Sequence, residues 1–266
     1  MSVDFFEGRG YNESDRKIEK KQKSSKKTEK EETAMLYRYE THLHTFPVSK
    51  CARATVRESL DFYRILGYAG VFITNHFIDG NMQQSADMSY EERICAHFSD
   101  YEDGVQIGRE MGIPVFCGVE MSYKGTDFLV YGLGKEWFLA HPEIEHMKKS
   151  EELPYLIEHG ALVIQAHPFR EARYIDHIRL FPRAVEGVEV INASCRDPLV
   201  NDMAKLYAER YGLIPFAGSD NHSGPAVKQL AGMEADTPIL DEHDFVERVK
   251  RGELRCFSMK NPILSE

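Results

Sequence analysis

Five short stretches of this sequence place histidine or carboxylate side chains at the end of an apolar run. They are Glu40-Thr41-His42-Leu43-His44-Thr45, Thr74-Asn75-His76, Gly118-Val119-Glu120, Gln165-Ala166-His167-Pro168 and Gly218-Ser219-Asp220-Asn221-His222. In extended backbone, residues two apart project to one face, so His42 and His44 can hold a single ion together. Five of the eleven histidines fall at such ends, against about one for random placement over the same positions. With Glu120 and Asp220 beside them they make the nitrogen-and-oxygen donor set that suits zinc, manganese or iron(II) at a hydrolytic site. The rival reading is a set of unrelated polar loop ends. His97, His141, His146, His159, His177 and His243 lie in helical patterns or connections and read as surface or packing residues.

Other routes to a nucleophile find no support. The chain has no GxSxG elbow and no Walker A loop, which disfavours a serine hydrolase and a P-loop kinase. A CxxxxxR spacing runs from Cys51 to Arg57, but the residues between contain no glycine to let backbone N–H groups wrap a phosphate. A metal cluster is left to generate the nucleophile. Water bridging two cations has its pKa lowered far enough to give hydroxide at neutral pH, and the paired ions can stabilise an in-line displacement.

These side chains need elements to position them. Apolar runs rich in β-branched and aromatic residues predict strands near Leu36–Glu40, Ala69–Thr74, Pro114–Val119, Asp127–Gly132, Ala161–Gln165, Val185–Ile191 and Ile214–Ala217. Patterns of 3.6-residue period between them predict helices over Thr55–Leu66, Tyr90–Met111, Leu153–His159 and Pro198–Tyr211. Gly67, Gly112, Gly160 and Gly212 each stand between a helix and a strand, where a left-handed cap is expected. A closing helix, Asp241–Lys250, precedes a final strand near Arg255–Ser258. Repeated βα units imply a parallel sheet, closed into a barrel or open and doubly wound, with the active-site residues at the carboxyl ends of the strands.

Taken in order, HxH, T-x-H, G-V-E, A-H-P and G-S-D-x-H resemble the motif series of the PHP (polymerase and histidinol phosphatase) superfamily of metal-dependent phosphoesterases. The resemblance runs from Arg38 to His222. It implies a distorted seven-stranded (β/α) barrel holding two or three divalent ions, zinc, manganese or iron, and hydrolysis of a small phosphorylated metabolite or nucleotide by a metal-bridged hydroxide. Carried over motif by motif, one ion would take His42, His44, Glu120 and Asp220. A second would share Glu120 and add His167; a third would take His76 and His222. Three positions depart from the usual pattern. Lys50 and Cys51 stand where many relatives carry Asp or His, and of these only Cys51 can donate a lone pair. Asn75 replaces the common Asp of T-D-H, and Asp127 is the polar group nearest the place of a further histidine ligand after G-V-E. In the implied mechanism Glu120 bridges two ions, and either His76 or a metal-bound water protonates the leaving alkoxide. Arg170, three residues after His167, is either a two-pronged phosphate clamp or an exposed arginine paired with a carboxylate. Asn192 either contacts substrate or caps the following helix. The alternatives are another metal-dependent hydrolase, or a non-catalytic PHP module in a larger assembly.

Composition bounds the rest. At 266 residues the length suits one α/β barrel. Residues 1–34 hold nine basic and eight acidic side chains and few apolar anchors, so they read as a lysine-rich, disordered leader ahead of a catalytic barrel over 35–266. The remainder holds 24 basic and 35 acidic side chains, a net of −11, which does not advertise a nucleic-acid surface. The five cysteines show no CxxC spacing, the amino terminus does not read as a secretory signal, and no apolar run approaches the length of a bilayer span. A cytoplasmic protein without a membrane partner is expected.

Overall fold

The computed structural model describes residues 36–264. The segment 1–34, read above as a charged leader, lies outside them. Among the described residues nine strands form a single sheet: β1 (Tyr37–Leu43), β2 (Gly70–Ile73), β3 (Val115–Tyr123), β4 (Thr126–Tyr131), β5 (Leu162–Ala166), β6 (Gly187–Asn192), β7 (Ile214–Gly218), β8 (Gln229–Ala235) and β9 (Arg255–Lys260). The helices are α1 (Val56–Ile65), α2 (Tyr90–Met111), α3 (Lys135–Ala140), α4 (Lys149–Glu158), α5 (Pro198–Tyr211) and α6 (Glu242–Lys250).

The strand order is β7-β6-β5-β4-β3-β2-β1-β8-β9. Beyond this row the sheet curls back on itself. Leu43, at the end of β1, bridges to Asn221 just past β7, and Thr41 Oγ1 donates to the Ala217 carbonyl. The result is a nearly closed barrel with the end of β7 beside the end of β1, the two places where HxH and G-S-D-x-H stand.

Nine strands stand where the resemblance implied seven, and the sheet is mixed rather than parallel. β4 runs antiparallel to both β3 and β5. Only Lys124 and Gly125 separate β3 from β4, too few for a parallel crossover, and both adopt positive φ (51° and 79°), as a tight hairpin turn of matching twist requires. β8 escapes sequence reading because Gln229-Leu230-Ala231-Gly232-Met233-Glu234-Ala235 has no β-branched residue. Tertiary pairing makes it a strand: a Cβ on Gly232 would lie 2.1 Å from the Tyr39 carbonyl oxygen, so only glycine lets β8 lie this close to β1.

β2, β4 and β5 are buried along their whole length, which explains the apolar runs Val71–Ile73, Phe128–Tyr131 and Leu162–Ile164 within them. Below the site an aromatic cluster of Tyr39, Phe72, Phe116, Tyr131, Phe216 and Phe245 fills the core. Phe245, from α6, packs at a tilt of 38° against Phe72, 4.2 Å from ring centre to ring centre. Truncating either ring to alanine would cost about 3–5 kcal/mol, so the floor beneath the strand ends is rigid.

Candidate metal centre

The polar strand ends converge on one point. His42 and His44 bring their Nε2 atoms within 3.1 Å of each other. The register slips between Glu40 and Leu43, a bulge of the kind that re-aims side chains beside active sites. Glu120, from β3, lies between four imidazoles. Its Oε1 is 3.1 Å from His42 Nε2 and 3.3 Å from His167 Nε2. Its Oε2 is 3.3 Å from His44 Nε2 and 2.8 Å from His76 Nδ1. Asp220 Oδ1 is 3.6 Å from Nε2 of both His42 and His44, and 3.2 Å from His222 Nδ1.

Three sets have donor atoms close enough to share an ion: His42, Glu120 and His167; His42, His44 and Asp220; His44, His76 and His222. Ligands bonded to one ion at about 2.0–2.2 Å stand about 3 Å apart, the range seen here. Both oxygens of Glu120, Asp220 Oδ1 and His76 Nδ1 are buried, make no well-aligned hydrogen bond, and face only one another and the neighbouring imidazole nitrogens. Each such group costs about 1–3 kcal/mol if left unsatisfied. Four of them aimed at one volume fit divalent cations.

The carboxylates and imidazoles are strongly coupled: Glu120 and Asp220 outweigh burial and push His42, His76 and His222 up towards the charged form, a positive charge that divalent cations would replace. Burial pushes the Glu120 carboxyl up, but His76, His42 and His44 outweigh it and hold it well below the usual range. Burial likewise opposes ionisation of Asp220, and Arg170 with His42 overcomes it. Burial, with His222 and His76 alongside, drives His44 well below its ordinary value, keeping it the neutral imidazole a ligand must be. Two of these residues hold left-handed backbone, His167 at φ 27° and Asp220 at φ 53°. Such strain costs about 1–3 kcal/mol per residue and collects at functional sites.

A cavity of about 450 Å³ opens over the cluster, lined among others by Cys51, Asp127, Arg170 and Tyr174. Cys51 sits beside His76 and His222, and neither it nor Asp127 belongs to the three sets above. Asp127 Oδ1 accepts from Ser122 Oγ, while its Oδ2 stands 3.9 Å from His167 Nε2. Arg170 donates through Nη2 to Asp220 Oδ2, Ser194 Oγ and Asn192 Oδ1. Asn192 is fully buried: its amide donates to Glu189 and Asp220, and Asp197 rather than Asn192 caps α5.

Several residues of the site were not singled out in the sequence. Glu189 accepts from His42 Nδ1 at 3.0 Å, and Glu40 accepts the backbone N–H groups of Thr41, His42 and Ser219. Glu189 stands inside its strand, and Glu40, at the predicted end of the first strand, is followed by three more strand residues to Leu43. A clue existed for Glu189: Gly187-Val188-Glu189 repeats the Gly118-Val119-Glu120 triplet. Asn75, set apart above as a replaced aspartate, accepts from Thr45 N and Ser49 Oγ, and Ser49 Oγ lies 3.1 Å from His44 Nδ1.

Residues 198–254 match the family model described as PHP-associated. Among curated proteins no match is found. Among solved structures, one similar chain is a two-domain protein from Bacteroides vulgatus described as containing a predicted PHP-like metal-dependent phosphoesterase. It is 12% identical, with a TM-score of 0.61, over 84% of this chain and 65% of that one. This chain therefore spans just under two thirds of that protein's length. PsfC from Pseudomonas syringae is similar at 16% identity and a TM-score of 0.54, over 84% of this chain and 91% of its own. At such identities the likeness is one of fold.

Proposed function

We infer that this chain, which belongs to the PHP superfamily, is a metal-dependent phosphoesterase acting on a small phosphorylated metabolite or nucleotide. The observation that carries this is the convergence of Glu120, Asp220 and His76 donor atoms, buried and without a well-aligned hydrogen bond, among four further imidazoles. His42, His44, Glu120 and Asp220 would hold one ion, and Glu120 with His167 a second, Asp127 standing at its rim. His76 and His222, with the Cys51 thiolate beside them, would hold a third. Bound cations would supply Lewis-acid polarisation of a phosphoryl oxygen and water acidic enough to ionise near neutral pH.

The chain's own groups do the rest. All three hydrogen bonds of Arg170 run through Nη2, which leaves Nε and Nη1 to grip a phosphate from the cavity wall. His76 faces Glu120 through Nδ1, so Nε2 is the atom able to carry a proton towards a leaving oxygen. Asn192 supports Arg170 and Asp220 from beneath. Among the described residues no helix is long and apolar enough to cross a membrane.

The test is turnover before and after chelation, with Mn²⁺, Zn²⁺ or Fe²⁺ restored, over a panel of phosphate monoesters and diesters. Activity that vanishes with chelation and returns with an ion is expected. Full phosphoesterase turnover by metal-free protein overturns the reading, and an enzyme that cleaves amides but no phosphate ester reassigns the bond.

A further inference from the structure

β6 contributes no donor atom to the three ligand sets, yet Glu189 at its centre touches the supports of three of their members. Its side chain is completely buried. Oε1 accepts from His42 Nδ1 at 3.0 Å, and Oε2 accepts from the His167 backbone N–H at 3.0 Å and from Asn192 Nδ2 at 2.8 Å. The Asn192 amide reaches on to Asp220 Oδ2 at 3.3 Å. One carboxylate thus links β1, β5 and, through Asn192, the end of β7.

We propose that Glu189 is a positioning residue, which fixes the tautomer and aim of His42 and the backbone of His167 for ion binding. The proposal rests on the metal-centre reading above. A neutral imidazole that donates from Nδ1 presents its lone pair at Nε2, and His42 Nε2 is the atom that faces Glu120, His44 and Asp220. A carboxylate on the far nitrogen also makes the ligating nitrogen a stronger base. His167 is held at φ 27°, a conformation that L side chains rarely adopt, and its N–H donates to Glu189. The register slip of β6 between Glu189 and Ile191 lies at the same place.

The fit leaves no slack. A Cβ on Gly218 would come within 2.8 Å of Glu189 Oε1 and 2.4 Å of His42 Cβ, so β7 presses both groups together. Glu40 is the useful contrast: it accepts from three backbone N–H groups and the Tyr63 hydroxyl, and binds no imidazole. Glu40 holds strands, whereas Glu189 holds ligands.

The experiment is chelator competition for Zn²⁺ and Mn²⁺ on wild type and Glu189→Gln, which keeps the shape and removes the charge. An affinity loss of about tenfold to a hundredfold is expected, the range for supports of metal ligands. A merely structural role would lower the thermal midpoint of the metal-free protein and leave the ion affinity of its folded form unchanged; that result overturns the proposal. Should Glu189→Gln fail to fold, ¹⁵N NMR of the Zn²⁺-loaded wild type decides, with the His42 proton expected on Nδ1 and a proton on Nε2 refuting it. Wild type that binds neither ion would overturn the metal centre and Glu189 together, whereas equal binding by both proteins overturns Glu189 alone.

Discussion

Cys51 is where single-residue chemistry can be tested most directly. Burial pushes its thiol up, but hydrogen bonds and charges from His222 and His76 outweigh this and leave it at about 6. A thiolate at neutral pH is both the alkylating form and the ligating form. Iodoacetamide labelling of Cys51 in metal-free protein should therefore rise as pH climbs through about 6 and level off by about pH 7. Zn²⁺ should suppress it there and leave labelling of exposed Cys95 unchanged. Peptide mass spectrometry reads both sites, and equal Cys51 labelling with and without zinc would remove its sulfur from the centre. Arg170→Ala should raise KM about tenfold or more while kcat stays within a few-fold, if Nε and Nη1 hold phosphate alike in ground and transition states. Steady-state kinetics on two unrelated phosphate esters would expose a change confined to kcat, which would assign Arg170 to Asp220 alone. The residues that converge on the site were legible because each stands where an apolar run ends in a polar residue. Glu189 was not, because a buried acid within Val188-Glu189-Val190-Ile191 gives no strand-end signal; its two histidine partners, His167 and His42, lie 22 and 147 residues away in sequence.

Elements carry these residues, and the tightest junction is between β7 and β1. Gly218→Ala would place a methyl group 2.4 Å from His42 Cβ, so His42, Glu189 or the strand must move. Overpacking of this kind costs about 1–3 kcal/mol, or about 2–4 °C in Tm per kcal/mol at this chain length. Because the shift falls on His42, metal affinity should drop as well. Gly134→Ala is the control: no atom lies within 4 Å of its Cβ and its φ is ordinary, so affinity should hold. Calorimetry with a zinc titration checks both, and normal affinity in Gly218→Ala would show that the junction has room to yield. Helix ends were readable wherever a cap wrote them. Ser89 with Glu92 opens α2 and Gly112 closes it; Asp197 with Pro198 opens α5 and Gly212 closes it. α4 was not, since it begins at Lys149 with no side-chain cap and carries Pro154 within. Strand direction was not legible either: β4 has an ordinary apolar run, and only the two-residue link before it carries the reversal.

At the scale of the molecule, the groups proposed to bind ions would tie the barrel's stability to them. Without cations, Glu120 and Asp220 remain buried with poorly hydrogen-bonded oxygens amid imidazoles, and the ends of β1, β3, β5 and β7 meet across that volume. A folded state that binds an ion its unfolded chain does not is stabilised by about 2.7 kcal/mol at a hundredfold excess over Kd. For a chain of this length that is about 5–10 °C in Tm. The aromatic floor of Phe72, Phe116, Tyr131, Phe216 and Phe245 needs no metal, so chelated protein should keep its secondary structure and unfold cooperatively, only earlier. Differential scanning calorimetry of chelated and Zn²⁺- or Mn²⁺-loaded protein tests this, with circular dichroism to confirm the fold. Asp220→Asn should bring the loaded midpoint down towards the chelated one, because it removes the charge that His42 and His222 face. Identical midpoints for chelated and loaded wild type would mean that no ion enters the cluster, and the buried oxygens of Glu120 and Asp220 would then need another partner.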